Sequence, residues 1–327
     1  MPTATSFPPY RNGQSEPQLR RVPGDPYAVL TVPGRRDISI TETPERCPFC
    51  PPSRLAPTDY DHLIFPNEAP VVVQLHDAPN PPHSEMIGTA YGYNDVVVFS
   101  PKHEQKLHEM SSDALALLFE AVSDRLATYA TDGRMKHAYV FLSNDARFGP
   151  SESHPHGQIL VTSFVPPFAR RFRTDNGDCF LCQENHRARL AGRVFMENRF
   201  LTAFTPSAPR LPLEMWIVPE GHGVDLWALP PENRAALALA TLTSLGLAAN
   251  VTGYHAPYLV SLFNVLDDGG KSGHILIEVQ HYGRPGGREK FLGGFELSLG
   301  PYANPSSPDD IAALLKDALS RTSAQVD

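Results

Sequence analysis

Cysteine is scarce: 327 residues hold only four. All four fall in two C-x-x-C pairs, Cys47/Cys50 and Cys179/Cys182. That usage argues against a disulfide framework and for metal binding or redox chemistry. Apolar runs of bilayer-spanning length are also missing by inspection. The first 16 residues are polar and Pro-bearing, without the apolar centre of a secretory signal, so a cytoplasmic protein is expected. A basic excess is absent as well. The net charge is -8, which argues against nucleic acid as the main partner. It leaves a phosphorylated small molecule open, because a few local basic groups can outweigh a global excess. What remains is a chain with 41% hydrophobic residues, long enough for two domains.

A redox C-x-x-C pair is expected at the start of a helix that follows a strand. Cys47-Pro48-Phe49-Cys50 runs instead into Pro51-Pro52, which resists a helix. Zinc ligation fits the pairs better.

Period-2 patterning bounded by Pro, Gly or Asn predicts short strands over 27–32, 63–65, 71–75 and 95–99. A helix starts near Ser111 or Ser112, carries Leu115, Leu118, Val122 and Leu126 on one face, and stops before Gly133. Strands over 137–142 and 154–164 follow. The second half repeats the plan. Strands are expected over 193–196, 201–205 and 214–218, then a helix opening at Pro230-Pro231-Glu232, then strands over 258–263 and 274–279. A last helix takes Ser307 as N-cap and Pro308 at its first position.

The landmarks recur in order. Cys47/Cys50, His103, a helix, Asn144 and His154 answer to Cys179/Cys182, His222, a helix, Asn264 and His274. This predicts a duplicated α+β protein of antiparallel sheets with helices packed on them. Residues 1–25 form a flexible arm, 26–172 the first domain and 173–327 the second. Zinc takes four nitrogen or sulfur ligands in a tetrahedron. Each half offers such a set: Cys47, Cys50, His103 and His154, then Cys179, Cys182, His222 and His274. The role assigned to zinc is structural, with the first site expected and a second in the C-terminal half.

The densest chemistry is Ser153-His154-Pro155-His156-Gly157-Gln158. Pro155 allows the two rings different partners, one at a metal and the other at a cleft. Gly157 lets a large group approach the backbone. Gln158, two residues after His156, shares its face in a strand. A histidine nucleophile beside a neutral amide suits attack on phosphorus. Alone, His156 would read as an ordinary core histidine; its neighbours favour the functional reading. Half two carries Leu276 where half one has His156, so only the first copy is expected to do chemistry.

Taken together, Cys47-x-x-Cys50, Ser100-Pro101-Lys102-His103, the His154–Gln158 motif and Lys290-Phe291-x-Gly293-Gly294-Phe295-Glu296 resemble the galactose-1-phosphate uridylyltransferase family of the histidine-triad superfamily. The resemblance covers nearly the whole chain after the arm. It implies ping-pong nucleotidyl transfer from a nucleotide sugar to a sugar 1-phosphate, with His156 as nucleophile and Gln158 steadying the phosphoryl oxygens. It further implies substrate contacts from Arg35 or Arg36, Asn67, Asn144, Ser151 and Gly157. Lys290, Phe291, Phe295 and Glu296 would reach the sugar phosphate. A homodimer is implied in which one subunit completes the other's sugar site.

Histidine-triad hydrolases carry a third histidine where Gln158 stands, able to protonate a poor leaving group. A sugar phosphate leaves without protonation, so glutamine suffices, and an amide does not activate water. Departures from the family pattern are Asp145-Ala146 after Asn144, Glu152 near the phosphate site, and Glu68 in the nucleotide loop. They bear on the base and the sugar rather than on the chemistry. The expected reaction is UDP-glucose:galactose-1-phosphate uridylyl transfer. The alternatives are a nucleoside-diphosphate-sugar phosphorylase, a transferase for another sugar 1-phosphate, and, from another class, a non-catalytic zinc-stabilised nucleotide-binding module.

Overall fold

The computed structural model describes residues 17–21, 28–32, 46–74, 87–148, 152–172, 179–265 and 275–323. Arg35, Arg36, Ser151 and His274 lie outside the described residues. Strands in chain order are β1 (Gln18–Arg21), β2 (Ala28–Thr31), β3 (Leu63–Pro66), β4 (Ile87–Thr89), β5 (Gly92–Val98), β6 (His137–Ser143) and β7 (His156–Thr162). They continue as β8 (Val194–Glu197), β9 (Leu201–Phe204), β10 (Leu213–Pro219), β11 (Tyr258–Val265), β12 (Leu276–His281), β13 (Gly283–Arg284) and β14 (Arg288–Glu289). The helices are α1 (Ser112–Ala130), α2 (Phe180–Leu190), α3 (Pro231–Thr252), α4 (Gly294–Leu299) and α5 (Pro308–Ser323).

Local chemistry sets the helix ends. Ser111 caps α1 by accepting the Ala114 N–H. Pro231 occupies the first turn of α3, whose missing N–H costs nothing there, and Gly253 closes it at φ +82°. The Ser307 hydroxyl accepts the Asp310 N–H and starts α5. Four expectations need correction. The arm contains β1, which pairs with β2 and β4 in a three-stranded sheet. The strand expected over 71–75 is reduced to one bridge, Val73 to Tyr91. A helix not expected from the sequence, α2, intervenes before the strand at 193–196, with Cys179 as its N-cap. Finally, α3 is long and apolar enough by composition to cross a membrane. Leu237, Ala238, Ala240, Leu245, Leu247 and Ala248 are instead buried in the core, while Leu239 stands exposed, so α3 packs as a helix on the sheet.

Nine strands form one sheet in the order β3-β5-β7-β6-β11-β12-β10-β9-β8. The two halves meet edge to edge at the antiparallel β6–β11 pair. The β5–β7 and β7–β6 ladders repeat with an offset of 120 residues: Val96 opposite Gln158 becomes Trp216 opposite Glu278, and Phe141 opposite Gln158 becomes Ser261 opposite Glu278. At the seam Phe141 faces Ser261, its own counterpart, so a local two-fold axis passes between them.

One face of the sheet carries α1, α3 and α5 over a single core. Leu115, Leu118 and Val140 of half one share it with Leu237, Val260, Ile277 and Leu315 of half two. Each such buried aliphatic side chain contributes about 1.5–3 kcal/mol, so no weak seam divides the halves. The opposite face is divided. Cys47, Phe49, Val96 and Val98 cluster over half one, and Phe172, Trp216, Phe204 and Phe263 over half two. Because strand side chains alternate, Ile159 and Val161 of β7 enter the helix-side core. His156 and Gln158 therefore share the other face.

Candidate active site

The first ligand set assembles as its spacing suggests. The Sγ of Cys47 lies 3.5 Å from Nδ1 of His154. The Sγ of Cys50 lies 3.3 Å from Nδ1 of His103 and 3.5 Å from Nδ1 of His154. All four ligand atoms fall within 4.8 Å of one another. A tetrahedral ion at usual thiolate and imidazole bond lengths requires sulfur–nitrogen edges of about 3.5 Å, so the donors fit a metal ion. The outer nitrogens are engaged too. Nε2 of His154 donates to the Ser100 carbonyl at 2.8 Å, which leaves Nδ1 unprotonated as the ligand. Nε2 of His103 lies 3.1 Å from the Ser153 hydroxyl.

The second set brings together Cys179, Cys182 and His222, with 3.5 Å between the Cys182 sulfur and Nδ1 of His222. It differs in setting. Cys182 and His222 are exposed, whereas Cys47 and His154 are buried.

Beyond Pro155 the chain enters β7, and His156 takes its first position. The ring is buried, its edge against Phe49 at 5.4 Å between centroids. Nδ1 donates to the His154 carbonyl at 2.8 Å. That bond fixes the tautomer and leaves Nε2 unprotonated, with its lone pair free of this bond. Burial lowers the ring's pKa, opposed by this backbone bond, which keeps the imidazole neutral. An open cleft of about 610 Å³ adjoins the ring, with Asn144, Asp145, Glu152, Ser153 and Lys106 in its walls. Lys106 escaped sequence reasoning, and among those five wall residues it brings the positive charge.

Gln158 stands two residues further along the same face, half buried. Its Oε1 accepts from Nδ2 of Asn94 at 3.1 Å and lies 3.5 Å from Nδ2 of Asn67. Asn67 is therefore tied to the motif through Gln158. Asn144 sits at the seam, its Oδ1 accepting the Tyr258 N–H at 2.8 Å. Gly157 admits a close neighbour, but that neighbour is protein: a Cβ here would stand 2.0 Å from the Phe141 carbonyl oxygen. Tight β6–β7 packing, rather than room for a bound molecule, accounts for this glycine.

Lys290 and Glu296 are buried and face each other, with 2.7 Å between Nζ and Oε1. The Lys290 ammonium and the Gly293 and Ala303 N–H groups hold the Glu296 carboxyl down at about 2. Phe291 and Phe295 stand exposed beside them. Arg147, not singled out from sequence, joins this segment to the cleft. It bonds Asp145 at 2.9 Å and Glu289 at 2.7 Å, and lies over the Phe291 ring. No local pattern marks such a bridge, since Glu289 lies 142 residues from Arg147.

The fold and site define a duplicated α+β protein with paired cysteine–histidine clusters. Residues 76–166 match the family model described as galactose-1-phosphate uridyl transferase, N-terminal domain. A galactose-1-phosphate uridylyltransferase of Thermotoga maritima is 23% identical over 88% of this chain and 94% of its own length. An ADP-glucose phosphorylase of Arabidopsis thaliana is 25% identical over 69% of this chain and 65% of its own length. A solved uridylyltransferase superposes with a TM-score of 0.78 at 27% identity, covering 93% of this chain and 99% of that one. In sequence and in fold the chain is thus similar to galactose-1-phosphate uridylyltransferases.

Proposed function

We propose that this chain transfers a nucleotidyl group from a nucleotide sugar to a sugar 1-phosphate through a covalent adduct on His156, with UDP-glucose as donor and galactose 1-phosphate as acceptor. The observation that carries the reading is the Nδ1 bond from His156 to the His154 carbonyl. It aims an unprotonated Nε2 from a residue two positions after His154, a member of the ligand cluster. Nε2 attacks the α-phosphorus, the nitrogen–phosphorus bond forms, and the bond to the sugar phosphate oxygen breaks with its electrons. The leaving sugar phosphate takes no proton. An acceptor phosphate oxygen then attacks the same phosphorus and frees the histidine. Gln158 and Lys106 meet the charge on the phosphoryl oxygens.

Zinc is the ion we assign to Cys47, Cys50, His103 and His154, and when bound it rigidly crosslinks the loop to the start of β7. Cys179, Cys182 and His222, with His274, would hold a second. We place the protein in the reducing cytoplasm, where four thiols stay available as ligands. Arg35, Arg36, Asn67, Asn144 and Ser151 would contact the nucleotide. In a homodimer, Lys290, Phe291, Phe295 and Glu296 would face the partner subunit's sugar site. The exposed apolar run through Leu297 and Leu299 supports that pairing.

A second reading, phosphorolysis of a nucleotide sugar, draws support from the Arabidopsis relative. It shares the first step and uses inorganic phosphate as acceptor. Mixing the protein with labelled UDP-glucose or ADP-glucose tests both. An acid-labile phosphohistidine adduct is expected, and His156→Gly should abolish it. Release by galactose 1-phosphate but not by phosphate marks the transferase, and the reverse marks the phosphorylase. No adduct from any nucleotide sugar would leave the zinc-stabilised binding module.

A further inference from the structure

We propose that Asn94 is a positioning residue that sets which end of the Gln158 amide meets the phosphoryl group. The inference rests on the histidine-adduct reading above.

A carboxamide has a donor end and an acceptor end of nearly equal shape. For a group that must meet developing negative charge, the orientation decides whether it attracts or repels. Asn94 lies in β5, buried, diagonal to Gln158 across the β5–β7 ladder. Its own orientation is pinned by two backbone groups that cannot turn over. Oδ1 accepts the Val71 N–H at 3.1 Å, and Nδ2 donates to the Ile159 carbonyl at 3.2 Å. The remaining hydrogen on Nδ2 therefore points at Gln158, 3.1 Å away, and requires the carbonyl end there.

Asn67 repeats the logic. Its Oδ1 is held by the Ala69 N–H at 2.9 Å, so its Nδ2 also turns toward the same Oε1. A flipped Gln158 would set its NH2 against two others. The lock leaves Nε2, with both N–H groups, as the end directed away from the asparagines and available to phosphoryl oxygens. Asn94 touches no substrate in this arrangement; it acts through Gln158.

The test uses single-turnover adduct formation in the full chain with labelled UDP-glucose and ADP-glucose. Asn94→Asp keeps the acceptor for Val71 and replaces the donor by a carboxylate oxygen, which favours the flipped amide. Adduct formation should fall about 100-fold, as when an oxyanion-type donor is lost. Asn94→Ser keeps a hydroxyl for the backbone but is too short to reach Oε1. It leaves the amide unlocked and should cost about tenfold, a rough share of the same donor effect. In a Gln158→Ala background neither change should lower the rate further. Equal losses in both backgrounds, or a normal rate in Asn94→Ser, would overturn the positioning role. If Asn94→Asp does not fold, Asn94→Ser with and without Gln158→Ala decides alone. Failure of the unmodified protein to form adduct is a different result, which overturns the histidine-adduct reading and this inference with it.

Discussion

The two halves share ladders residue for residue yet do opposite things with the same face. In half one the first and third positions of β7 are His156 and Gln158, beside an open cleft. In half two those of β12 are Leu276 and Glu278, and the face is closed. Glu278 is fully buried with Glu214, and Nε1 of Trp216 donates to both, at 3.1 and 3.0 Å. Arg210 bonds Glu278 at 2.5 Å. Burial pushes the Glu278 carboxyl up to about 7, with Arg210 opposing. Phe168, Phe172 and Arg171, from the segment that joins the halves, lie over this cluster. The backbone scaffold thus does not determine reactivity. A leucine in place of His156, with Phe168, Arg171 and Phe172 laid across the sheet, fills this face in half two.

Writing half two into half one breaks the comparison most sharply. His156→Leu should lose at least about 1,000-fold in adduct formation while keeping its melting temperature within a few degrees, because the same ladder already accepts Leu276. Next in size, Arg210→Met strips the cation from two buried carboxylates. It should cost about 3–5 kcal/mol in urea unfolding yet leave adduct formation per folded molecule unchanged. A loss of rate there would show that half two contributes to chemistry. Cys50→Ser and Cys182→Ser sharpen the contrast between the ligand sets. Each should remove metal, read by elemental analysis, but only Cys50→Ser should also slow adduct formation, since its set anchors His154. The exposed set should cost stability alone, of the order of 1–3 kcal/mol.

The smallest effect concerns acid. His137 is fully buried and burial drops its pKa to about 3, whereas Pro257 occupies the matching place in half two. The unfolded chain binds a proton near 6.5 that the folded chain refuses down to about 3. Stability from this group is therefore complete above that range and falls as pH drops through it, by at most about 1.4 kcal/mol per pH unit. His137→Phe should flatten the urea midpoint between pH 7 and 5 by about that share. His108 and His281, also shifted downward, should keep some acid sensitivity in the variant.

The duplication was legible because a ladder repeats its spacing in sequence, and helix starts were legible because caps are local chemistry. Ser111, Pro231 and Ser307 all act where expected. Contacts made across the fold were not legible. Asn94 reads locally as the residue that ends a strand, whereas β5 runs through it from Gly92. Helix α2 was hidden because Cys179 was read as part of a metal knuckle, although its sulfur lies at 3.5 Å from the Cys182 N–H as a cap. Arg147 and the Arg210 cluster depend on partners in distant segments, which no window of sequence displays.

The seam at β6–β11 carries a further consequence. Phe141 opposite Ser261 means that each strand meets its own duplicate, running the other way. Two copies of a single half could make the same ladder across a true two-fold axis, with both outer surfaces intact. An isolated half therefore carries a self-complementary seven-residue edge. The first half alone should sediment as a pair rather than singly, each member presenting its own His156. Joining two such units in one chain keeps the closed edge while leaving the second copy free to carry Leu276 where the first has His156.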